Sequence, residues 1–217
     1  MRIAVLGTGV VGTTLGAAFV RAGHEVRLGS RTAGNEKSLA WVAATGAGAS
    51  EGTFADAAAW GEVVVNATGG LVSIEALNAA GAANLASKVL LDLSNPLDFS
   101  DGFPPKVAQP DGRSLAEQIQ SAFPEARVVK TLNTMNVSVS AAPRSLSGPH
   151  TVFVAGDDAD AKAVAVDLLL GLGWTREEII DAGGIGASRG LELYLSLWLS
   201  LMGTFGTPAF NISVVRA

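Results

Sequence analysis

Gly7, Gly9 and Gly12 are spaced as a turn that could hold a phosphate, in the run Gly7-Thr8-Gly9-Val10-Val11-Gly12. Alone, that spacing is weak. Here it follows a short apolar run, Arg2 to Leu6, and opens a helical stretch that Gly23-His24 closes. A strand, a glycine turn and a helix in that order give the motif its meaning. Gly7 permits the tight turn, Gly9 lets the backbone approach a pyrophosphate, and Gly12 lets helix and strand pack closely. The first helical turn, with Val10 and Val11, offers free N–H groups and the positive end of the helix dipole.

The second strand carries the next signal. Dinucleotide-binding chains of this design place an acidic residue roughly 20 positions beyond the glycines, where it binds ribose hydroxyls and repels a 2′-phosphate. Here Glu25 to Leu28 runs into Gly29-Ser30-Arg31, with no carboxylate at that corner. Arg31 supplies a forked, permanently charged donor set, and Ser30 adds a hydroxyl. Thr8, in the glycine turn, could reach the same group. The expected cofactor is therefore NADP(H) rather than NAD.

Few side chains remain for proton transfer. The chain has 2 histidines and no cysteine. His24 falls in the tight helix-to-strand turn and His150 precedes a strand, both structural positions, and no HxH or HExxH spacing suggests a metal. Lys130, at the end of a strand, is the one candidate acid; pairing with Asp or Glu is the commoner arrangement for such a lysine. On that arrangement Lys130→Met is expected to fold and to keep hydride transfer. Reducing a carbonyl needs a positioned proton donor. Hydride exchange between two redox cofactors leaves the chemistry to the cofactors, and the protein mainly aligns them. No catalytic side chain and no metal are expected.

These residues must be carried by an alternation of strands and helices. With 217 residues and 48% hydrophobic composition, the chain suits one compact α/β domain with an extension. Strands are expected at 2–6, 25–28, 47–50, 62–67, 89–93, 127–131, 152–155 and 179–181. Helices are expected at 36–44, 53–60, 73–86, 158–170 and 187–202, and after the capping residue Ser114, with Glu117 at the capping-box spacing. The stretch 98–113 is rich in Pro, Gly and Asp and should be irregular. The pattern predicts a Rossmann-type, doubly wound, mainly parallel sheet with a small helical C-terminal extension. Residues 1–156 would form the NADP-binding domain and 157–217 an extension completing the acceptor pocket. A net charge of -5 disfavours nucleic acid as a partner. The start lacks a basic segment followed by an apolar run, so a cytoplasmic location is expected.

GTGVVG, LGSR, the SNP after the fifth strand, KTLNT after the sixth, GDDADAKAV and DAGGIGASRGLE, in that order, resemble the NADPH-dependent reductases of coenzyme F-420, an 8-hydroxy-5-deazaflavin. The resemblance runs over nearly the whole chain. It implies a Rossmann domain with a small C-terminal extension, a homodimer, and direct hydride transfer between NADPH and the deazaflavin. Carried over by position, Thr8, Ser30 and Arg31 would hold the 2′-phosphate. Asn133, Thr134, Met135 and Val137 would lie beside the nicotinamide, and Thr68-Gly69-Gly70 and Ser94-Asn95-Pro96 would flank the second ring. Those two loops are more polar than the apolar stretches of the archaeal enzymes. The tail Gly206 to Ile212 is extra and looks more like bacterial members and the oxidoreductase domain of metalloreductases. Two other functions share the same cradle: a flavin or ferric-chelate reductase, and an NADP-sensing protein without turnover.

"LELYLSLWLSLMGTFG" is apolar almost all round, which in a helix means burial or membrane. It is too short and too interrupted for a span. Glu192, Ser196, Ser200 and Gly203 share a narrow stripe that another helix could approach. Burial of the 187–202 helix against a second subunit is expected, with a small-molecule redox acceptor as the other partner and no membrane contact.

Overall fold

A computed structural model describes residues 1–216, apart from the side chain of Pro110. The apolar runs form one sheet from β1 (Arg2–Leu6), β2 (Glu25–Ser30), β3 (Ala49–Thr53), β4 (Val63–Asn66) and β5 (Val89–Asp92), joined by β8 (Arg127–Thr131), β9 (Val152–Ala155) and β10 (Ile179–Asp181). A small antiparallel hairpin, β6 (Leu97–Asp98) with β7 (Lys106–Val107), stands in the stretch expected to be irregular. The sheet order is β10-β9-β8-β5-β4-β1-β2-β3. From β3 to β8 this is the doubly wound dinucleotide-binding order, with its reversal point between β1 and β4. β4 and β5 are buried along their whole length, as central parallel strands must be.

Residue alternation along the strands feeds two cores. On one face α1 (Val10–Arg21), α2 (Glu36–Thr45), α7 (Val137–Ala141) and α8 (Ala159–Gly171) pack on the sheet, with Phe19, Trp41, Val139 and Leu169 against Val5, Val26 and Val65. On the other, α3 (Phe54–Trp60), α4 (Ser73–Ala80), α5 (Ala82–Leu85) and α6 (Leu115–Ala122) set Phe54, Leu77, Leu85 and Ile119 against Leu6, Val64 and Leu90. The single helix expected over 73–86 is broken at Gly81, whose φ of 90° lies where glycine is at ease.

One strand departs from the parallel set. β9 pairs antiparallel with β8, Lys130 opposite Ala155, because the short α7 brings the chain back beside the strand it left. α8 then makes a full crossover, and β10 lies parallel to β9. The sheet thus continues past residue 156, the expected division. What stands apart from it is α9 (Ser188–Phe205), which rests on the β6–β7 hairpin through Leu195, Trp198 and Leu199. Among the described residues no helix is long and apolar enough to cross a membrane.

The chain after α9 folds back. Phe210 stacks on Trp198 at 5.3 Å, and the Thr151 N–H donates to the Ile212 carbonyl at 2.8 Å. Asn211 Nδ2 donates to the Thr151 carbonyl and lies 2.9 Å from His150 Nδ1. His150 Nε2 meets the Pro143 carbonyl at 3.0 Å, so Nε2 carries the proton and Nδ1 accepts. Both ring nitrogens are engaged, and His150 is structural. His24 sits 3.5 Å from the N-terminal ammonium; burial, then that charge, hold its pKa below the ordinary value.

α6 and α9 are tied by charge. Ser114 and Glu117 form the expected capping box, and Arg189 grips the Glu117 carboxylate with Nε at 2.7 Å and Nη2 at 2.5 Å. The Arg189 hydrogen bonds first, and then Ser114, hold the Glu117 carboxyl down at about 2 against the opposing effect of burial. A depressed folded pKa contributes stability that is full above the unfolded value and is lost as pH falls through the folded one. Glu117→Gln should therefore destabilise the protein at pH 7. Its deficit in urea midpoint should shrink from about pH 5 down to about pH 2. A deficit constant across that window would show that ionisation of Glu117 adds nothing.

Candidate cofactor and acceptor site

The glycine turn has the geometry its spacing suggests. Gly7 has φ of 121°, and a Cβ there would lie 2.6 Å from the Ala67 carbonyl oxygen, so β1 and β4 part only just enough at this point. A Cβ on Gly12 would lie 2.1 Å from the Gly7 oxygen. Gly9 differs: nothing stands within 4 Å of its Cβ position. Its open side faces a cleft that a side chain would enter, and it caps α1 with no side-chain hydrogen bond. Val10 and Val11 are exposed on the first turn. An uncapped helix start beside open space is a ready anion site.

Two adjoining hollows open from this turn. One, of about 410 Å³, is lined by Gly7, Thr8, Gly9, Arg31, Thr68 and Gly69 among others. The second, about 450 Å³, shares Thr8 and Arg31 and adds Ser30. Arg31 is exposed, and among the described residues no carboxylate lies within ion-pair distance of it. Ser30 is only 3% exposed, and its hydroxyl donates to the Thr32 carbonyl at 2.5 Å. It must swing from Thr32 to reach a ligand.

Sequence reasoning missed several wall residues. Phe54 lines both hollows, and Asn35 caps α2 at the edge of the second, accepting from the N–H groups of Lys37 and Ser38. Asn35 before a helix was a legible cap signal. Val72, just before α4, and Ala76 and Ala79 within it line the first hollow at helical spacing, a pattern that periodicity could have shown. Phe54 carries no comparable signal.

The loops after β4, β5 and β8 meet on the other side. A Cβ on Gly70 would stand 2.2 Å from the Asn95 carbonyl oxygen, so the first two loops touch. Ser94 Oγ donates to the Thr68 carbonyl at 2.8 Å. Asn95 and Asn133 exchange bonds: Asn95 Nδ2 to the Asn133 carbonyl at 2.8 Å, Asn133 Nδ2 to Asn95 Oδ1 at 3.0 Å. The polar character of these loops is thereby explained. A further hollow of about 500 Å³ lies beyond them, walled by Gly70, Pro96, Gln109 and Leu115.

Asn133 and Thr134 are 3% and 1% exposed, and Asn133 Oδ1 and Thr134 Oγ1 find no hydrogen-bond partner among the described residues. Leu132 just before them has φ of 57°, a strained value for that side chain. Met135 is buried, and Val137 begins α7. These four residues share the carboxyl end of β8 with the Asn95 loop but do not line the two hollows at the glycine turn.

Lys130 is not placed to donate a proton to a ligand. It is fully buried, 2.8 Å from both Asp92 Oδ2 and Glu192 Oε1, and it also donates to the Ser94 carbonyl. Burial works against its ammonium form, but the two carboxylates outweigh it and its pKa is raised. Glu192 therefore faces inward, and the stripe expected on α9 is divided. Ser196, Ser200 and Gly203 remain exposed, with Leu193 at 51% and Leu197 at 54%.

A doubly wound sheet with a glycine turn at its reversal point is a Rossmann-type α/β fold. The comparisons agree. The sequence pattern of the family described as NADP oxidoreductase, coenzyme F-420-dependent, matches residues 2–96. A crystal structure from Arthrobacter sp. FB24, described as a candidate F-420-dependent NADP reductase, is 48% identical over 100% of both chains, with a TM-score of 0.93. The chain belongs to this family of NADP-dependent oxidoreductases. A hypothetical protein from Sinorhizobium meliloti, 22% identical over 100% of this chain and 96% of its own, has a TM-score of 0.71. A reductive aminase from Aspergillus terreus, 19% identical, matches 94% of this chain but 62% of its own, with a TM-score of 0.67. These last two share the fold. No curated protein sequence matches the chain.

Proposed function

We propose that the protein transfers a hydride between NADP(H) and a deazaflavin of the coenzyme F-420 type, with no side chain as acid or base. The observation that carries the NADP(H) half is Arg31, with no carboxylate partner among the described residues, beside Thr8 in a hollow that includes the open face of Gly9. The deazaflavin half rests on the family likeness. NADPH supplies the hydride when bound. Gly9 lets the pyrophosphate reach the start of α1, where Val10 and Val11 present backbone N–H groups. Arg31 and Thr8, with Ser30 once it rotates, hold the 2′-phosphate. Asn133 Oδ1 and Thr134 Oγ1 offer the unused hydrogen-bonding capacity that a carboxamide would take. Met135 and Val137 give the nicotinamide an apolar neighbour. Thr68, Gly69, Asn95 and Pro96 separate that ring from the acceptor, which the hollow beside Gly70 and Gln109 would receive. In this reading residues 1–156 hold the cofactor, and 157–217 contribute α9 to the acceptor side. The lack of cysteine supports a cytoplasmic setting.

Arg31→Ala tests the cofactor half. Losing a charge-assisted hydrogen bond costs on the order of 1.5–3 kcal/mol. NADPH affinity should fall roughly tenfold or more while NADH affinity barely moves. Equal losses in calorimetric titrations of the two cofactors would refute the assignment. Turnover of NADPH with deazaflavin, free flavin and ferric chelate side by side tests the acceptor half.

A homodimer belongs to the same proposal. Leu193 and Leu197, flanked by Ser196, Ser200 and Gly203, form an apolar strip with small neighbours that suits a two-fold contact of α9 with itself. Ser196→Arg should give monomers in light scattering and lose acceptor reduction more than NADPH binding. A wild-type monomer at micromolar concentration would refute it.

A further inference from the structure

We infer that Lys130 is a positioning residue for hydride transfer, locking the Ser94–Pro96 loop and the start of α9 into one rigid clamp around Asn133. This rests on the proposed function, since Asn133 is taken to adjoin the nicotinamide.

The ammonium has three acceptors, and each belongs to a part of the clamp. Asp92 ends β5, the Ser94 carbonyl begins the loop after it, and Glu192 lies in the first turns of α9. Asn133 Nδ2 is held by the same two pieces, donating to Asn95 Oδ1 at 3.0 Å and to the Leu191 carbonyl at 3.1 Å. Each partner of Asn133 is thus a chain neighbour of a Lys130 partner: Asn95 follows Ser94, and Leu191 precedes Glu192. The clamp is braced behind. Asp92 Oδ1 accepts from Asn66 Nδ2 at 2.9 Å, and Asn66 Oδ1 accepts from Thr68 Oγ1 at 2.7 Å, which brings in the loop after β4. Glu192 accepts from the N–H groups of Leu115 and Ala116 at the start of α6, at 2.9 and 3.3 Å, and from Gln109 at 3.3 Å.

The charges explain why the clamp is stiff. Two carboxylates face one ammonium in a fully buried place, and the α6 N–H groups partly offset the excess negative charge. The loop after β5 and the start of α9 are thus joined through one charged group, and a 1 Å misplacement of reacting atoms can cost about 10²-fold in rate.

The test uses Lys130→Met with Glu192→Gln, which removes the ammonium and one carboxylate together and leaves the buried charge as it was. With coenzyme F-420 as the acceptor probe and NADPH deuterated at the transferred position, kcat should fall ~10–100-fold. Affinity for NADPH should stay within about twofold, and the primary isotope effect should rise as transfer becomes limiting. A fall in kcat that disappears once rates are divided by the folded, NADPH-binding fraction means only fewer folded molecules and overturns the inference. Glu192→Gln alone, which leaves Lys130 on Asp92 and Ser94, should lie between. Hydrogen exchange reads the clamp without turnover: residues 94–96 and 188–195 should speed up together in the double variant. Faster exchange in only one of them, or in neither, overturns the inference. Wild-type protein that fails to reduce coenzyme F-420 overturns the proposed function instead, and hydrogen exchange then decides the clamp.

Discussion

Gly9→Ala should melt within a few degrees of the wild type and yet bind NADPH about a hundredfold more weakly, a loss of roughly 2.7 kcal/mol. The stability half follows from the empty space around the Cβ position and from backbone angles of φ -77° and ψ 178°, which any residue accepts. Exchanging one uncapped helix start for another costs at most about 1 kcal/mol, or roughly 2–4 °C at this size. The binding half follows because the added methyl group takes the place a pyrophosphate needs. Gly12→Ala should do the reverse. Its Cβ would sit 2.1 Å from a backbone oxygen that has little freedom to retreat, so the turn itself must move. A cost of roughly 1–3 kcal/mol is expected, with the cofactor lost as a consequence. Thermal melts with calorimetric titration separate the two outcomes. Wild-type affinity in Gly9→Ala would remove the phosphate cradle from this turn.

Lys130→Met alone should be among the most damaging single changes to stability, at about 3–5 kcal/mol. Two buried carboxylates would face each other with their shared cation gone. For a chain of this size that corresponds to a melting temperature lower by roughly 6–20 °C. The expectation from sequence, that this variant folds and keeps hydride transfer, treats Lys130 as one member of a pair. The structure shows two partners, and the penalty grows accordingly. Adding Glu192→Gln should recover a substantial part of the loss, because it removes the repulsion. Equal melting temperatures for the single and double variants would mean that the carboxylates do not feel one another.

That contrast marks what can be read from a sequence. Arg2 to Leu6, the glycine turn and Arg31 declare themselves because local geometry and local chemistry coincide within a few residues. Ser114 and Glu117 form their capping box for the same reason. The eight strands of the main sheet were all expected, and β3 merely lies a little later, at Ala49–Thr53. Distance along the chain hides the rest. Glu192 is 62 positions from Lys130, and nothing in an apolar helix tells which face a lone carboxylate takes. The antiparallel β9 depends on how far α7 carries the chain, and Phe54 becomes a wall only once β2 and β3 are paired. The β6–β7 hairpin is too short to leave a periodic trace.

The fold-back of Asn211 and Ile212 onto His150 and Thr151 also has a bearing on synthesis. Domains form from the N-terminus as the ribosome adds about 5–20 residues per second. The glycine turn, Arg31 and the first five strands lie early in the chain and need nothing from its last part to pair. His150 and the start of β9, by contrast, wait for partners some 60 positions further on. Translation therefore delivers the glycine turn and Arg31 several seconds before the brace that closes β9. If NADP(H) binds at this turn as proposed, it would favour the half-built sheet over its unfolded alternatives during that interval.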